Sequence, residues 1–327
     1  MAVKAMKSIF LNVRTFSELP LLFCSVVWAS VLHSVTFRYI HSSSFLSHSL
    51  TMEFLRTTFR NILFLIFIGV SHASTSANCS CGYIDDQGHV WRESIVTNFT
   101  KPSGALAALG NDWIVSTDNE VQSSPATANI QYVTANVLDH NSVLGIQASA
   151  YTSGSSNVDC GEIFTERSDI LYGTFRMRFF SYESDTQEQD IEFLSSGSNA
   201  QQQIQYTNQP GTVNGKVDEV SYRDVEVESA NFTTFGEHRF DWLKTATEYY
   251  YNSNLTATIT KNVPTSASEI VVNVWSNGDP EFSQGPPTSN AIASVEYVKL
   301  YFNSTSLSEA KFIETCSGAG NIARCTI

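Results

Sequence analysis

From Cys79 onward the chain alternates apolar and polar residues over short runs, and no long stretch shows a helical period. Such runs occupy Val143 to Ala150, Thr174 to Phe180, Gln187 to Leu194, Gln203 to Thr207, His238 to Leu243, Glu248 to Asn252, Ile270 to Trp275 and Val295 to Phe302. A period of two marks a strand with one face buried, and the Gly, Asn, Asp and Ser clusters between the runs mark turns. Many short strands at even spacing, with no repeat and no low-complexity linker, predict one all-β domain, a sandwich or barrel. The stretch from Tyr249 to Leu255 reads as a hairpin around its Asn-rich centre.

One run breaks the usual composition of a strand. In Glu188-Gln189-Asp190-Ile191-Glu192 the alternation places three carboxylates on one face and leaves Ile191 and Phe193 on the other. Acids are poor strand formers, and like charges side by side on a sheet repel. The row is therefore unfavourable unless something uses it. Four residues of strand separate the Cα atoms of Glu188 and Glu192 by roughly 13 Å. Side chains leaning inward bring the carboxyl groups to the separation of about 5–5.5 Å that a retaining glycosidase uses. A solvated acidic edge strand and a calcium site are the alternatives, although calcium ligands usually come from a loop with carbonyl donors.

The 327 residues, 42% hydrophobic and 16% charged, with 21 Phe and 13 Tyr against 8 Pro, suit a β-rich globular protein with a full-sized core. A formal charge of −13 argues against nucleic acid and anionic membrane surfaces as partners and suits a neutral polymer. Met52, Arg56 and Arg60, the apolar run Ile62 to Val70, and Ser71-His72-Ala73 have the order of a secretory signal, expected to end near Ser74. Residues 1–51 are then an upstream extension of uncertain standing, either spurious or an N-terminal membrane anchor. Sequons at Asn78, Asn98, Asn231, Asn254 and Asn303 fit a secreted, extracellular or cell-wall glycoprotein. Five cysteines follow Ala73; Cys316 and Cys325 are expected to pair, and Cys79 or Cys81 to reach Cys160, leaving one thiol over. No His stands beside them at zinc-ligand spacing.

The acidic run has companions in a fixed order. Glu162-Ile163-Phe164-Thr165 and Tyr172-Gly173-Thr174-Phe175-Arg176 precede it; Phe240-Asp241-Trp242, the tyrosine hairpin and Asn273-Val274-Trp275-Ser276-Asn277-Gly278-Asp279-Pro280 follow. The series resembles glycoside hydrolase family 16, particularly its secreted fungal members. That resemblance implies a concanavalin A-like β-jelly-roll, a sandwich of two antiparallel sheets with a sugar-binding cleft, over residues 79–303. Residues 52–73 would be the signal peptide and 304–327 a disulfide-closed tail. It implies retaining hydrolysis of β-1,3 or mixed β-1,3/1,4 glucans by a monomer. The alternatives are a wall transglycosylase and a non-catalytic carbohydrate-binding jelly roll. Position by position it makes Glu188 the nucleophile, Glu192 the general acid/base and Asp190 their assistant. Trp275, Tyr206, Trp242 and His238 are the candidate sugar-binding residues. No cofactor or catalytic metal is called for, with structural calcium left open. Three departures stand out, one being that Gly236 and His238 stand where many members carry a His and, two residues on, a Tyr. Gln189 sits where the family usually has an apolar residue facing the inter-sheet core. The stretch from Arg176 to Glu188 looks too short for a further strand, as if a piece near 177–182 were missing.

Overall fold

The computed structural model describes residues 79–327, except 178–179, 183–186, 195–202, 231–233, 281, 284 and 321–322, together with the two-residue strand Ser8–Ile9. The chain divides into two units, Phe16–Asn78 and the remainder. The expected signal sequence, the upstream extension, its membrane association and the sequons at Asn78 and Asn231 all lie outside the described residues.

In chain order the principal strands are β1 (Glu93–Asn98), β2 (Trp113–Val115), β3 (Asn119–Glu120), β4 (Asn129–Tyr132), β5 (Asn157–Thr165), β6 (Ile170–Arg176), β7 (Phe180–Tyr182), β8 (Glu188–Leu194), β9 (Gln203–Asn208) and β10 (Tyr222–Glu226). They continue with β11 (His238–Trp242), β12 (Thr247–Tyr251), β13 (Asn254–Ile259), β14 (Glu269–Val274) and β15 (Tyr297–Ser304), before helix α1 (Glu309–Gly318). A large sheet runs β10-β9-β8-β7-β14-β5-β4-β3, with β2 also on β5. A smaller sheet runs β13-β12-β11-β6-β15-β1. Every neighbouring pair is antiparallel except β5 with β4. This is the all-β sandwich that the alternation predicts.

The core follows from register. Phe175, Phe240 and Leu300 stand opposite one another across β6, β11 and β15, as do Gly173, Trp242 and Phe302. From the large sheet, Ile191 pairs with Tyr206 and Ile163 with Val272. All but the glycine join one buried apolar cluster. Burying each such side chain contributes roughly 1.5–3 kcal/mol, so one face per strand suffices to define the sandwich. Asn252 and Ser253, at φ 47° and 66°, close the β12–β13 hairpin in the left-handed conformation that two-residue hairpin turns use.

The run Thr174 to Phe180 is two strands rather than one. β6 ends at Arg176 in the smaller sheet, Met177 takes φ 147°, and the chain re-enters the large sheet as β7. β7 pairs with β14 on one side and with Gln189 and Glu188 of β8 on the other. The extra strand that looked absent is thus formed by three residues.

The cysteine expectation needs correction. Cys79 bonds Cys325, Cys81 bonds Cys316, and Cys160 is a buried free thiol. The reason is topological: Tyr83–Ile84 pairs in parallel with Cys325–Thr326, bringing the two ends of the domain together. The tail is therefore stapled to residues 79–81, not closed on itself. Gly82, at φ 79°, lets the chain pass where a Cβ would lie 2.4 Å from the Trp91 carbonyl and 2.9 Å from Phe312 of α1.

Candidate active site

β8 is an inner strand of the large sheet, and its parity sorts its residues. Gln189, Ile191 and Phe193 point into the sandwich; Glu188, Asp190 and Glu192 point to the outer face. Gln189 is fully buried at the inter-sheet position, and Thr247 of β12 donates a 2.6 Å hydrogen bond to its carbonyl oxygen. The polar departure from the family pattern therefore has a partner built for it.

Glu188 and Asp190 are buried, at 7% and 1% exposure, and Glu192 is half-buried. Burial, foremost, pushes the Asp190 carboxyl up from its ordinary range, against hydrogen bonds from Glu188 and Gln209 that pull it down. Burial likewise drives Glu192 well above the usual carboxylate range, and the neighbouring charge of Asp190 adds to it. Mutual repulsion was the cause that the sequence offered; desolvation is the larger one. The result is a nucleophile-sized carboxyl hydrogen-bonded to a second one, with a third that keeps its proton beside them. Such a set can donate a proton at near-neutral pH and hold a developing positive charge.

The outer face extends across the sheet. Gln205 and Thr207 stand opposite Glu192 and Asp190 on β9, with Asp224 and Tyr222 beyond them on β10. On the other side Glu162 of β5 stands opposite Asn273 of β14. Asn273 Nδ2 donates to Glu162 at 2.9 Å and to the Tyr132 hydroxyl at 3.1 Å. Burial raises Glu162 to about 8, with the Asn273 bond opposing. The sequence reading quoted Glu162 and Asn273 only as parts of motifs and missed Tyr132 and Gln209; their partnership depends on strand order, which alternation does not encode.

The four candidate sugar contacts fare differently. Tyr206 pairs with Ile191 and so faces the core, stacked on Tyr249 at 4.6 Å with its hydroxyl accepting from Thr256. Trp242 is fully buried, its indole N–H donating to the Pro264 carbonyl. His238 sits edge-on between Phe193 and Tyr251, at 4.6 and 4.8 Å. These three are core residues, and the expectation that they bind sugar is corrected. Trp275 follows Asn273 by two residues and shares the outer-face parity, although its ring is buried at 4% exposure. Arg176 is a salt-bridged strand residue, 3.9 Å from Glu237.

One group of metal-ligating type occurs among the described residues, Asp85, His89 and Asp241, their ligand atoms within 4.8 Å of one another. It lies by the smaller sheet, and its carboxylates are engaged: Asp85 by His89 and Trp91 Nε1, Asp241 by both arms of Arg239. That donor set is built for internal pairing, and it stands apart from the β8 carboxyls.

No family model matches the chain. The chain is 29% identical over 150 residues to the beta-glucanase of Bacillus amyloliquefaciens, covering 40% of this chain and 59% of that one. It is also 29% identical over 150 residues to the beta-glucanase of Bacillus subtilis (strain 168), at 40% and 58% coverage. The chain thus spans somewhat more than half the length of these relatives. Among solved structures, a prokaryotic beta-1,3-1,4-glucanase (lichenase) derived from a mouse hindgut metagenome superposes with a TM-score of 0.50. It is 16% identical, over 64% of this chain and 99% of that one. The fold is the β-glucanase jelly roll, and the resemblance to glycoside hydrolase family 16 stands.

Proposed function

We propose that this relative of the family 16 β-glucanases hydrolyses β-1,3 or mixed β-1,3/1,4 glucans with retention of configuration. Glu188 is the nucleophile, Glu192 the general acid/base, and Asp190 the residue that assists the nucleophile. The observation that carries the reading is the row itself: three carboxyls on one strand face, the central one hydrogen-bonded to Glu188 and the last kept protonatable by burial.

The chemistry follows in two displacements. Ionised Glu188 attacks the anomeric carbon while Glu192 gives its proton to the departing glycosidic oxygen, forming a glycosyl ester and releasing the reducing-end fragment. Glu192, now a carboxylate, takes a proton from water, whose oxygen attacks the same carbon and frees Glu188. Burial suits Glu192 to start as the acid. The glucan lies along the outer face of the large sheet, beside the half-buried Gln205.

Secretion completes the proposal. Two disulfides need an oxidising compartment, and the sequon residues Asn98 and Asn254 are exposed. The chain acts as a monomer on the glucan, outside the cell or in its wall. The test is incubation of the purified protein with laminarin, mixed-linkage glucan and chitin oligomers, followed by mass analysis. Shortened β-glucan oligomers support the reading. Products longer than the starting oligomers would mean transfer instead, and no product at all would leave a binding jelly roll.

A further inference from the structure

We infer that Gln209 is a positioning residue that holds Asp190 beside Glu188 through a hydrogen bond to Asp190 Oδ2; this rests on the reading of these carboxyls as a retaining catalytic set. Gln209 directly follows β9, and its backbone N–H donates to the Glu188 carbonyl at 3.0 Å, which ties it to the start of β8. Its side-chain amide is held from both ends. The Gly211 N–H donates to Oε1 at 2.7 Å, and Nε2 donates to Asp190 Oδ2 at 2.8 Å.

Donor and acceptor roles then propagate along the chain of contacts. A backbone N–H can only donate, so the oxygen end of the amide must face Gly211. The nitrogen end consequently faces Asp190, and an amide nitrogen can only donate as well. Oδ2 must therefore accept. The remaining oxygen, Oδ1, is buried and receives no hydrogen bond from an N–H or hydroxyl of the described residues. Asp190 nevertheless hydrogen-bonds Glu188. Two carboxyl oxygens can bond only through a proton, so Asp190 and Glu188 share one between them.

The titratable groups around Asp190 are Glu188 and Glu192 on its own strand and Tyr249 from β12, whose phenol feels its charge. β9 presents the neutral Thr207 opposite it, and the side chains of β7 lie outside the described residues. Gln209 is thus a donor to this pair that carries no charge of its own. Removing it withdraws a hydrogen bond from the ionised form, and the titration of the pair must move upward.

The test compares Gln209→Leu and Gln209→Glu with the wild type. In Gln209→Leu the acidic limb of kcat/KM on laminarin or mixed-linkage glucan should move up by about one pH unit, with KM unchanged. In Gln209→Glu the introduced carboxyl, while protonated, can reproduce the amide's pattern, its carbonyl toward Gly211 and its O–H toward Asp190. That variant should match the wild type near about pH 4 and lose activity as the carboxyl ionises. Unshifted profiles in both variants would overturn the inference. So would an equal loss at every pH that tracks a lowered Tm, which is what a merely structural role predicts. A wild type inactive on every β-glucan would sink the functional reading instead. The inference is then decided by ¹³C NMR titration of the labelled Asp and Glu carboxyls. An upward move of the pair in Gln209→Leu supports it, and unchanged midpoints refute it.

Discussion

Both sheets carry acids, and they treat them in opposite ways. Around the smaller sheet several acids meet a guanidinium. Arg239 holds both oxygens of Asp241, at 2.8 and 2.6 Å, and reaches Asp86 at 2.8 Å; Arg167 bridges Asp169 and Glu93. Asp86 and Asp169 are held below the ordinary carboxylate range, Asp169 mainly by its bond to Arg167, Asp86 by Arg239 against its own burial. On the outer face of the large sheet Glu162 and Asp190 are buried and Glu192 half-buried, none with such a partner among the described residues, and all three are raised. Asp241 is the exception on this side: burial leaves it raised although Arg239 opposes the rise. An acid beside arginine is a structural ion, whereas an acid buried among amides and other acids can exchange a proton. The difference separates scaffold from chemistry within one fold.

The comparison can be broken by mutation on either side. The largest effect belongs to Glu188→Ala, which should cut turnover by on the order of 10³-fold or more, because no glycosyl ester can form. Azide should partly restore it by attacking from the vacated side. Full activity in that variant would erase the distinction between the two faces. Breaking the opposite side should do the reverse. Asp241→Leu leaves Arg239 buried with one anchor and should cost roughly 3–5 kcal/mol of stability, with kcat unchanged in the folded fraction. Denaturant unfolding paired with active-site-normalised rates separates the two quantities.

A smaller effect sharpens the account of β8. Thr247→Val removes the hydroxyl that satisfies Gln189 and should destabilise by roughly 1–3 kcal/mol, again without altering kcat; an unchanged unfolding midpoint would contradict it. The smallest and broadest prediction concerns pH. Glu162 is raised from an ordinary 4.5 to about 8, so its contribution is complete below 4.5 and lost as pH rises toward 8. Asp190 and Glu192 act in the same direction. Asp86 and Asp169, lowered from 3.8, contribute above that value and lose their contribution as pH falls below it. Tm should therefore peak between about pH 4 and 5 and decline toward pH 8. Glu162→Gln should flatten the alkaline decline, and a Tm that rises steadily from pH 5 to 8 would contradict the raised set.

The architecture was legible because burying one face of a strand imprints a period of two, which survives cleanly in elements such as β4 and β15. The carboxylate row was legible for the same reason, since residues two apart on one strand share a face whatever the neighbours are. What depends on neighbours was hidden. Tyr206 and Gln205 differ by one residue, and only the pairing of Ile191 with Tyr206 decides which of them faces the acids. Trp242 and His238 looked like sugar platforms because an aromatic side chain suits a core and a cleft equally well. The cysteine pairing hung on a parallel contact between the two ends of the domain, 246 residues apart for Cys79 and Cys325. The Glu162–Asn273 contact spans 111 residues and needed the order of strands. The crossing at Met177 was misread as a gap because one continuous alternating run served two sheets.

The central claim is that the outer-face carboxyls carry out a two-step displacement, and the anomeric configuration of the first product reports on it directly. Proton NMR of a laminarin or mixed-linkage digest, recorded within the first turnovers and before mutarotation, should show the β-anomer appearing first, because two inversions restore the starting configuration. An α-anomer at the earliest times would mean a single inversion, and it would contradict the assignment of Glu188 as nucleophile.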